Sequence, residues 1–229
     1  PWNPDIVYVA ALGHESGPNP DRGVFKSTDG GKTWKKTLFV NDSVGAADLQ
    51  MDPADPKVLY AAMYRIQRKP WDIISGGAGG GIYKTTDGGE KWAEITHNPG
   101  LPKGMIGNIG LAVSPVDHQL VWAMIQSDSG GLFRSNDAGA TWTRVNDANN
   151  KSLDGMGPHW RPFYFSRVIV DPTDVNTIYL PNGVLFRSTD GGKHFKEVQP
   201  YDNLWDTHFL WISPTDPNRM IVAADQGAR

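Results

Sequence analysis

The sequence predicts an all-β protein, a propeller of four-stranded antiparallel blades. Three observations predict it. An eight-residue phrase is spelled four times: STDGGKTW at 27–34, TTDGGEKW at 85–92, SNDAGATW at 135–142 and STDGGKHF at 188–195. A second phrase falls between these copies: DPADPKVLY at 52–60, SPVDHQLVW at 114–122, DPTDVNTIY at 171–179 and SPTDPNRMI at 213–221. Short alternating segments flank both phrases, and no stretch shows sustained helical periodicity. Four short strands in a unit of about 50–60 residues is the pattern of a propeller blade.

Each element follows from its residues. Upstream of the first phrase come GVFKS (23–27), GIYKT (81–85), GLFRS (131–135) and VLFRS (184–188). Apolar and polar residues alternate in each, as in a half-buried strand. Downstream, WKKTLFV, WAEIT, WTRVN and FKEVQ alternate again, so the phrase is the loop of a hairpin. Asp29, Asp87, Asp137 and Asp190 each precede Gly-Gly or Ala-Gly. An Asp side chain there accepts hydrogen bonds from backbone N–H groups just downstream, and glycine supplies positive φ. The closing Trp34, Trp92, Trp142 and Phe195 each bring a large apolar side chain to the space between sheets. The second phrase links ADLQM, IGLAV, SRVIV and FLWI to the apolar strand that follows each. It is a second hairpin turn, so each unit has strands a, b, c and d.

The whole chain, 1–229, reads as a segment of one propeller. Strands b, c and d of a blade occupy 1–40, and full blades occupy 46–97, 107–147 and 164–199. A further blade starts at 206–229. Pro1 falls inside an a–b turn, so a partial ring is expected. The remainder of the propeller or a partner chain would cover the apolar sheet faces at its open edges.

Composition narrows the function. There are 26 Gly, 17 Pro and nine Trp, which suits short strands and many turns. The formal net charge is -3, with Lys and Arg scattered, so no nucleic-acid partner is expected. No cysteine is present, which excludes disulfides, zinc-thiolate sites and thiol catalysis. No apolar run is long enough to span a membrane. His14-Glu15 does not continue into a zinc-binding HExxH, and SGGAGGG (75–81) lacks the Lys-Ser/Thr of a phosphate loop and reads as a flexible loop. No metal and no cofactor are expected.

The pattern S/T-x-D-x-G-x-x-W/F resembles the Asp-box, or BNR, repeat. That repeat occurs in bacterial sialidases, xyloglucanase-like glycoside hydrolases and the sortilin (Vps10) propeller. The flanking turns and GLFRS-type strands are similar to bacterial Vps10-like proteins labelled glycosyl hydrolases. The resemblance covers nearly the whole chain. It implies that the box is structural and lies away from the ligand face. It also implies an exported protein, secreted or periplasmic. Its sialidase branch is not supported, because the Arg-Ile-Pro signature is absent and no Tyr–Glu pair can be placed.

In such a blade the a–b and c–d turns share one rim, and the longer b–c and d–a connections share the other. Function is expected on the second rim. Its segments are 13–22, 65–80, 97–107, 146–165 and 200–208. Glu15, Asp72, Asp154 and Asp206 are the candidate catalytic carboxylates, since glycoside hydrolysis needs a pair across the bond. Trp71, His159, Trp160, Arg161, Tyr164, Trp205 and His208 are the candidate ligand-binding residues, with the aromatics as sugar platforms. Two readings follow. One is a glycan-directed propeller, hydrolytic or carbohydrate-binding. The alternative is a sortilin-like propeller that binds a peptide or protein without catalysis.

Overall fold

The computed structural model describes residues 3–145, 160–198 and 205–228. It is all-β among these residues, with five antiparallel sheets arranged in chain order. The first sheet holds β1 (Val7–Ala11), β2 (Gly23–Ser27) and β3 (Lys35–Leu38). The second holds β4 (Val44–Met51), β5 (Leu59–Lys69), β7 (Gly81–Thr85) and β8 (Ala93–Glu94), with β6 (Asp72–Ser75) folded back on β5. The third is β9 (Ile109–Val113), β10 (Val121–Ile125), β11 (Gly131–Ser135) and β12 (Thr143–Arg144). The fourth is β13 (Ile169–Val170), β14 (Ile178–Pro181), β15 (Leu185–Ser188) and β16 (Lys196–Glu197). The last is β17 (Thr207–Ser213), β18 (Asp216–Ala224) and β19 (Gly227–Ala228).

The repeated phrases fold through the same bonds each time. In the boxes, the Ser27, Thr85, Ser135 and Ser188 hydroxyls donate to the Asp carboxylates at 2.7–2.8 Å. The same hydroxyls accept from the amides of Gly31, Gly89, Gly139 and Gly192. Each Asp also accepts from an amide four residues on, at Thr33, Lys91, Thr141 and His194. The hydroxyl and then the amide of Thr33 hold the Asp29 carboxyl down at about 2, and Thr141 does the same for Asp137. In the second phrase, Asp52, Ser114, Asp171 and Ser213 each accept from the amide two residues on. Asp55, Asp117, Asp174 and Asp216 then do likewise, each at 3.0 Å.

The two turns of a sheet meet. The amides of Gly30, Gly88, Ala138 and Gly191 donate to the carbonyls of Asp5, Lys57, Gln119 and Asn176. Both turn sets therefore lie on one rim, and the irregular connections lie on the other.

Neighbouring sheets are joined through the boxes. The Gly88 carbonyl accepts from the Tyr8 hydroxyl and the Lys26 ammonium of the first sheet, both at 2.8 Å. The Ala138 carbonyl accepts from Tyr60 and Lys84 at 2.9 and 2.7 Å. Apolar clusters fill the space between sheets, such as Tyr60, Ile82, Leu111, Phe133 and Trp142. Trp142 is 4% exposed there, whereas Trp34, on the first sheet, is 43% exposed.

One stretch departs from the sequence reading. Residues 65–80 were expected to be irregular. Instead β5 runs on to Lys69, and β6 pairs back from Asp72 to Ser75. Ile66, Ile73 and Ile74 supply the β-branched residues that an extended hairpin favours. The glycine stretch that follows is pinned by the Gly76 amide on the Arg65 carbonyl and the Gly77 amide on the Ile106 carbonyl.

Candidate functional site

Strand a of successive sheets carries a ring position that the repeat defines. Asp48 pairs with Ala62, Gly110 with Met124 and Phe209 with Ala223. Arg167 holds the same place, three residues before Val170. Glycine in the third sheet lets the chains close up, since a Cβ on Gly110 would lie 1.8 Å from the Ser166 carbonyl oxygen. Asp48 is re-aimed by a β-bulge, because Ala47 is an extra residue between the pairs Ala46–Met63 and Asp48–Ala62.

Asp48 and Arg167 both line two neighbouring cavities of about 200 Å³ each. The cavity toward the irregular rim is also lined by Glu15, Tyr64, Asn108 and Tyr164. Asp48 accepts from the Leu111 amide at 2.8 Å, the Leu49 amide at 2.8 Å and the Gln50 side chain at 3.0 Å. Burial nevertheless pushes its carboxyl up. The hydrogen bonds and the more distant charge of Arg167 oppose that rise without cancelling it.

Glu15 sits on a loop that is locked to the next sheet. Its carbonyl accepts from the Arg68 amide at 2.8 Å, one pair away from the turn of the β5–β6 hairpin. Arg22 makes the lock. It is 0% exposed, and its guanidinium donates to the carbonyls of His14, Gly17, Ser43 and Ile66. Carbonyl dipoles replace water at its two terminal nitrogens, while its Nε has no partner among the described residues. The hairpin carries Trp71 near its turn, 80% exposed.

An aromatic ridge borders the same cavity through Tyr164. Tyr164 meets Phe165 edge-on at 4.8 Å and His208 at 5.5 Å, and Trp160 stacks on Phe165 at 5.9 Å. The Arg161 guanidinium lies 4.4 Å from the Trp160 ring centre. Arg161 holds a left-handed φ of 46° and Asp206 one of 52°, uncommon backbone for residues with a side chain.

The structure thus brings Glu15 and Tyr164 to one cavity and gathers Trp160, Arg161, Tyr164 and His208 into the ridge beside it. It does not bring in the others. Asp72 is exposed on β6, with its carboxylate accepting from the Ile73 amide. Asp206 donates its amide to the Gly183 carbonyl and lines neither cavity. Trp205 is exposed, and His208 is bonded at 2.7 Å to Asp225. Asp154 and His159 lie outside the described residues. Sequence reasoning did not single out Asp48, Asn108 or Arg167 as site residues. The signal was weak: one register position of strand a holds Asp, Gly, Arg and Phe in successive sheets.

Comparison with known proteins agrees with the fold. The BNR/Asp-box repeat family matches residues 25–36. A xyloglucanase of Paenibacillus sp is 24% identical over 289 residues, covering 92% of this chain and 27% of that enzyme. A probable oligoxyloglucan-reducing end-specific xyloglucanase of Neosartorya fischeri is 28% identical over 174 residues, covering 73% of this chain and 19% of that protein. The chain thus spans less than a third of the length of these relatives. Among solved structures, the GH74 enzyme of Niastella koreensis matches with a TM-score of 0.63 at 18% identity, over 99% of this chain and 34% of that one. The GH74 xyloglucanase of Xanthomonas campestris matches at 0.53 and 16% identity, over 100% and 43%. The chain has a β-propeller fold with Asp-box repeats and resembles xyloglucanase-like glycoside hydrolases.

Proposed function

We propose that this segment supplies part of the glycan site of a glycoside-hydrolase-like propeller. The observation that carries the reading is the cavity on the irregular rim, where two carboxylates, Glu15 and Asp48, share a wall with Arg167 beside an aromatic ridge. A carboxyl raised by burial is suited to give a proton to a leaving sugar oxygen. Asp48 takes that role. Glu15, on the loop above, is the partner carboxylate. Arg167 orients sugar oxygens, and the Trp160–Tyr164–His208 ridge offers faces for sugar rings. The xyloglucanase relatives make xyloglucan the first substrate to try.

The test uses the full natural chain on xyloglucan and a panel of other polysaccharides. Asp48→Asn and Glu15→Gln are expected to lower turnover by about 10²–10⁴-fold, and Asp72→Asn to leave it unchanged. Absence of both binding and turnover on every glycan would overturn the reading and direct the search to peptide ligands. Export to the periplasm or medium belongs to the same proposal, and cell fractionation checks it. A further part is that another blade, in the same chain or a partner, covers Trp34. Acrylamide quenching of Trp34 in the full natural chain, matching that of a surface tryptophan, would remove it.

A further inference from the structure

Each of the first four sheets sets an aromatic residue of strand b directly opposite a cation of strand c. The pairs are Tyr8–Lys26, Tyr60–Lys84, Trp122–Arg134 and Tyr179–Arg187. In every pair the cation lies 5.2–5.6 Å from the ring centre. The first two pairs close on one atom of the next sheet. Tyr8 and Lys26 both donate to the Gly88 carbonyl, and Tyr60 and Lys84 to the Ala138 carbonyl. Gly88 and Ala138 stand at the same box position, just after the Asp. In the third sheet tryptophan replaces the tyrosine, but Arg134 still lies at that position of the next box, where a Cβ on Gly191 would come 2.8 Å from its Nη1. The fourth pair is built alike and closes on nothing. Neither the Tyr179 hydroxyl nor the Arg187 guanidinium makes a hydrogen bond or ion pair among the described residues. Tyr179 is 2% exposed, yet its hydroxyl is not sealed from solvent, and Arg187 is exposed. Buried tyrosines usually find a partner for the hydroxyl.

We propose that Tyr179 and Arg187 are the donor half of a docking site for a further Asp-box, and that they close on the carbonyl of the residue after its Asp. The occupant is the c–d hairpin of the fifth sheet. In both seated pairs the accepting box belongs to the sheet that follows the donor sheet in the stack. The fifth sheet packs on the fourth through Leu210, Ile212 and Val222, against Tyr179 and Leu185. Its β19 also opens as a strand c does. Gly227 pairs with Ala224 as Gly23 pairs with Ala11, Gly81 with Met63 and Gly131 with Ile125. All four glycines hold a positive φ, from 116° to 155°. A box hairpin follows strand c in each of the other four sheets. The chemistry fits that occupant, since a phenol and a guanidinium can both donate to one carbonyl oxygen, as Tyr60 and Lys84 do. The proposal does not depend on the glycan reading.

The test is footprinting of the full natural chain with an arginine-directed dicarbonyl, read by mass spectrometry. Arg187 is expected to react about tenfold more slowly than the exposed Arg144, because only local opening would free it. Removal of single donors gives a second readout. Tyr179→Phe is expected to lower the melting temperature of the full natural chain as much as Tyr60→Phe does. Each of these variants loses one hydroxyl and keeps its ring, so the core packing is preserved. Arg187→Met is measured beside Lys84→Met in the same way, with the same expectation. Arg187 that reacts as fast as Arg144 would overturn the proposal. So would a Tyr179→Phe variant that costs nothing where Tyr60→Phe lowers stability. Protection of Arg187 that fades on dilution would mean that a second copy supplies the carbonyl, and would overturn the assignment to the fifth sheet.

Discussion

The box rim and the middle of strand a use aspartate in opposite ways. On the box rim, Asp29 and Asp137 are solvent-facing, collect hydroxyl and amide donors, and sit at about 2. In strand a, Asp48 collects three donors as well, yet burial pushes its carboxyl up. The first arrangement lowers the free energy of the folded chain. The second opposes ionisation, since burial outweighs the three hydrogen bonds. Repetition also differs. Every box repeats the same bonds, whereas Asp48, Gly110, Arg167 and Phe209 occupy one register position with four different chemistries. Bonds that recur in every unit serve the unit, and a position that varies around a ring serves the ring.

The largest expected effect separates the two by activity. On the proposed glycan reading, Asp48→Asn in the full natural chain is expected to lower turnover by about 10²–10⁴-fold, and Asp137→Asn to leave turnover unchanged and lower the melting temperature. Equal turnover losses from the two variants would break the comparison. The next effect is on stability. Trp142→Ala is expected to cost about 3–5 kcal/mol by urea unfolding, and Trp34→Ala under about 1 kcal/mol in this chain, because one ring is enclosed and the other half open. A similar cost at both would mean that the box aromatic stabilises its own hairpin more than the packing of sheets. Smaller still, Ser135→Ala removes one donor to Asp137 and the acceptor of the Gly139 amide. It is expected to cost about 1–3 kcal/mol, and Ser27→Ala the same.

The pH dependence should run in opposite directions in the boxes and at Asp48. A carboxyl depressed by folding adds stability above its ordinary pKa, and that stability fades as pH falls through its folded value. The boxes therefore contribute fully above about pH 4 and lose their contribution toward about 2. Asp48 has the reverse sign, since folding favours its protonated form and ionisation costs stability as pH rises above the ordinary carboxylate range. Urea unfolding at pH 2–7 of wild type, Asp137→Asn and Asp48→Asn checks this. The Asp137 variant should lose part of the acid-side slope, and the Asp48 variant should lose a downward trend toward neutral pH.

The fold was legible because turns advertise themselves. Asp-x-Gly and Asp/Ser-Pro-x-Asp carry their bonds within a few residues, so local chemistry fixes local shape. The site was less legible, because its parts meet only when sheets stack. Glu15 and Tyr164 were found by their place on an irregular rim. Asp48 was hidden inside the apolar strand ADLQM, where a bulge that no dipeptide announces turns it toward the cavity. Asp72 and Trp205 show the converse. They look like site residues in sequence, and the paths of β6 and of the chain before β17 leave them outside both cavities.

Arg22 has a consequence for anyone who would rebuild this rim. One enclosed cation anchors the loop at 13–22 and the hairpin base at Ile66 at once. The two segments come from different blades, but they form a single cassette. A graft that moves either one into another propeller, or an evolutionary path that lengthens either one, must carry the other with it.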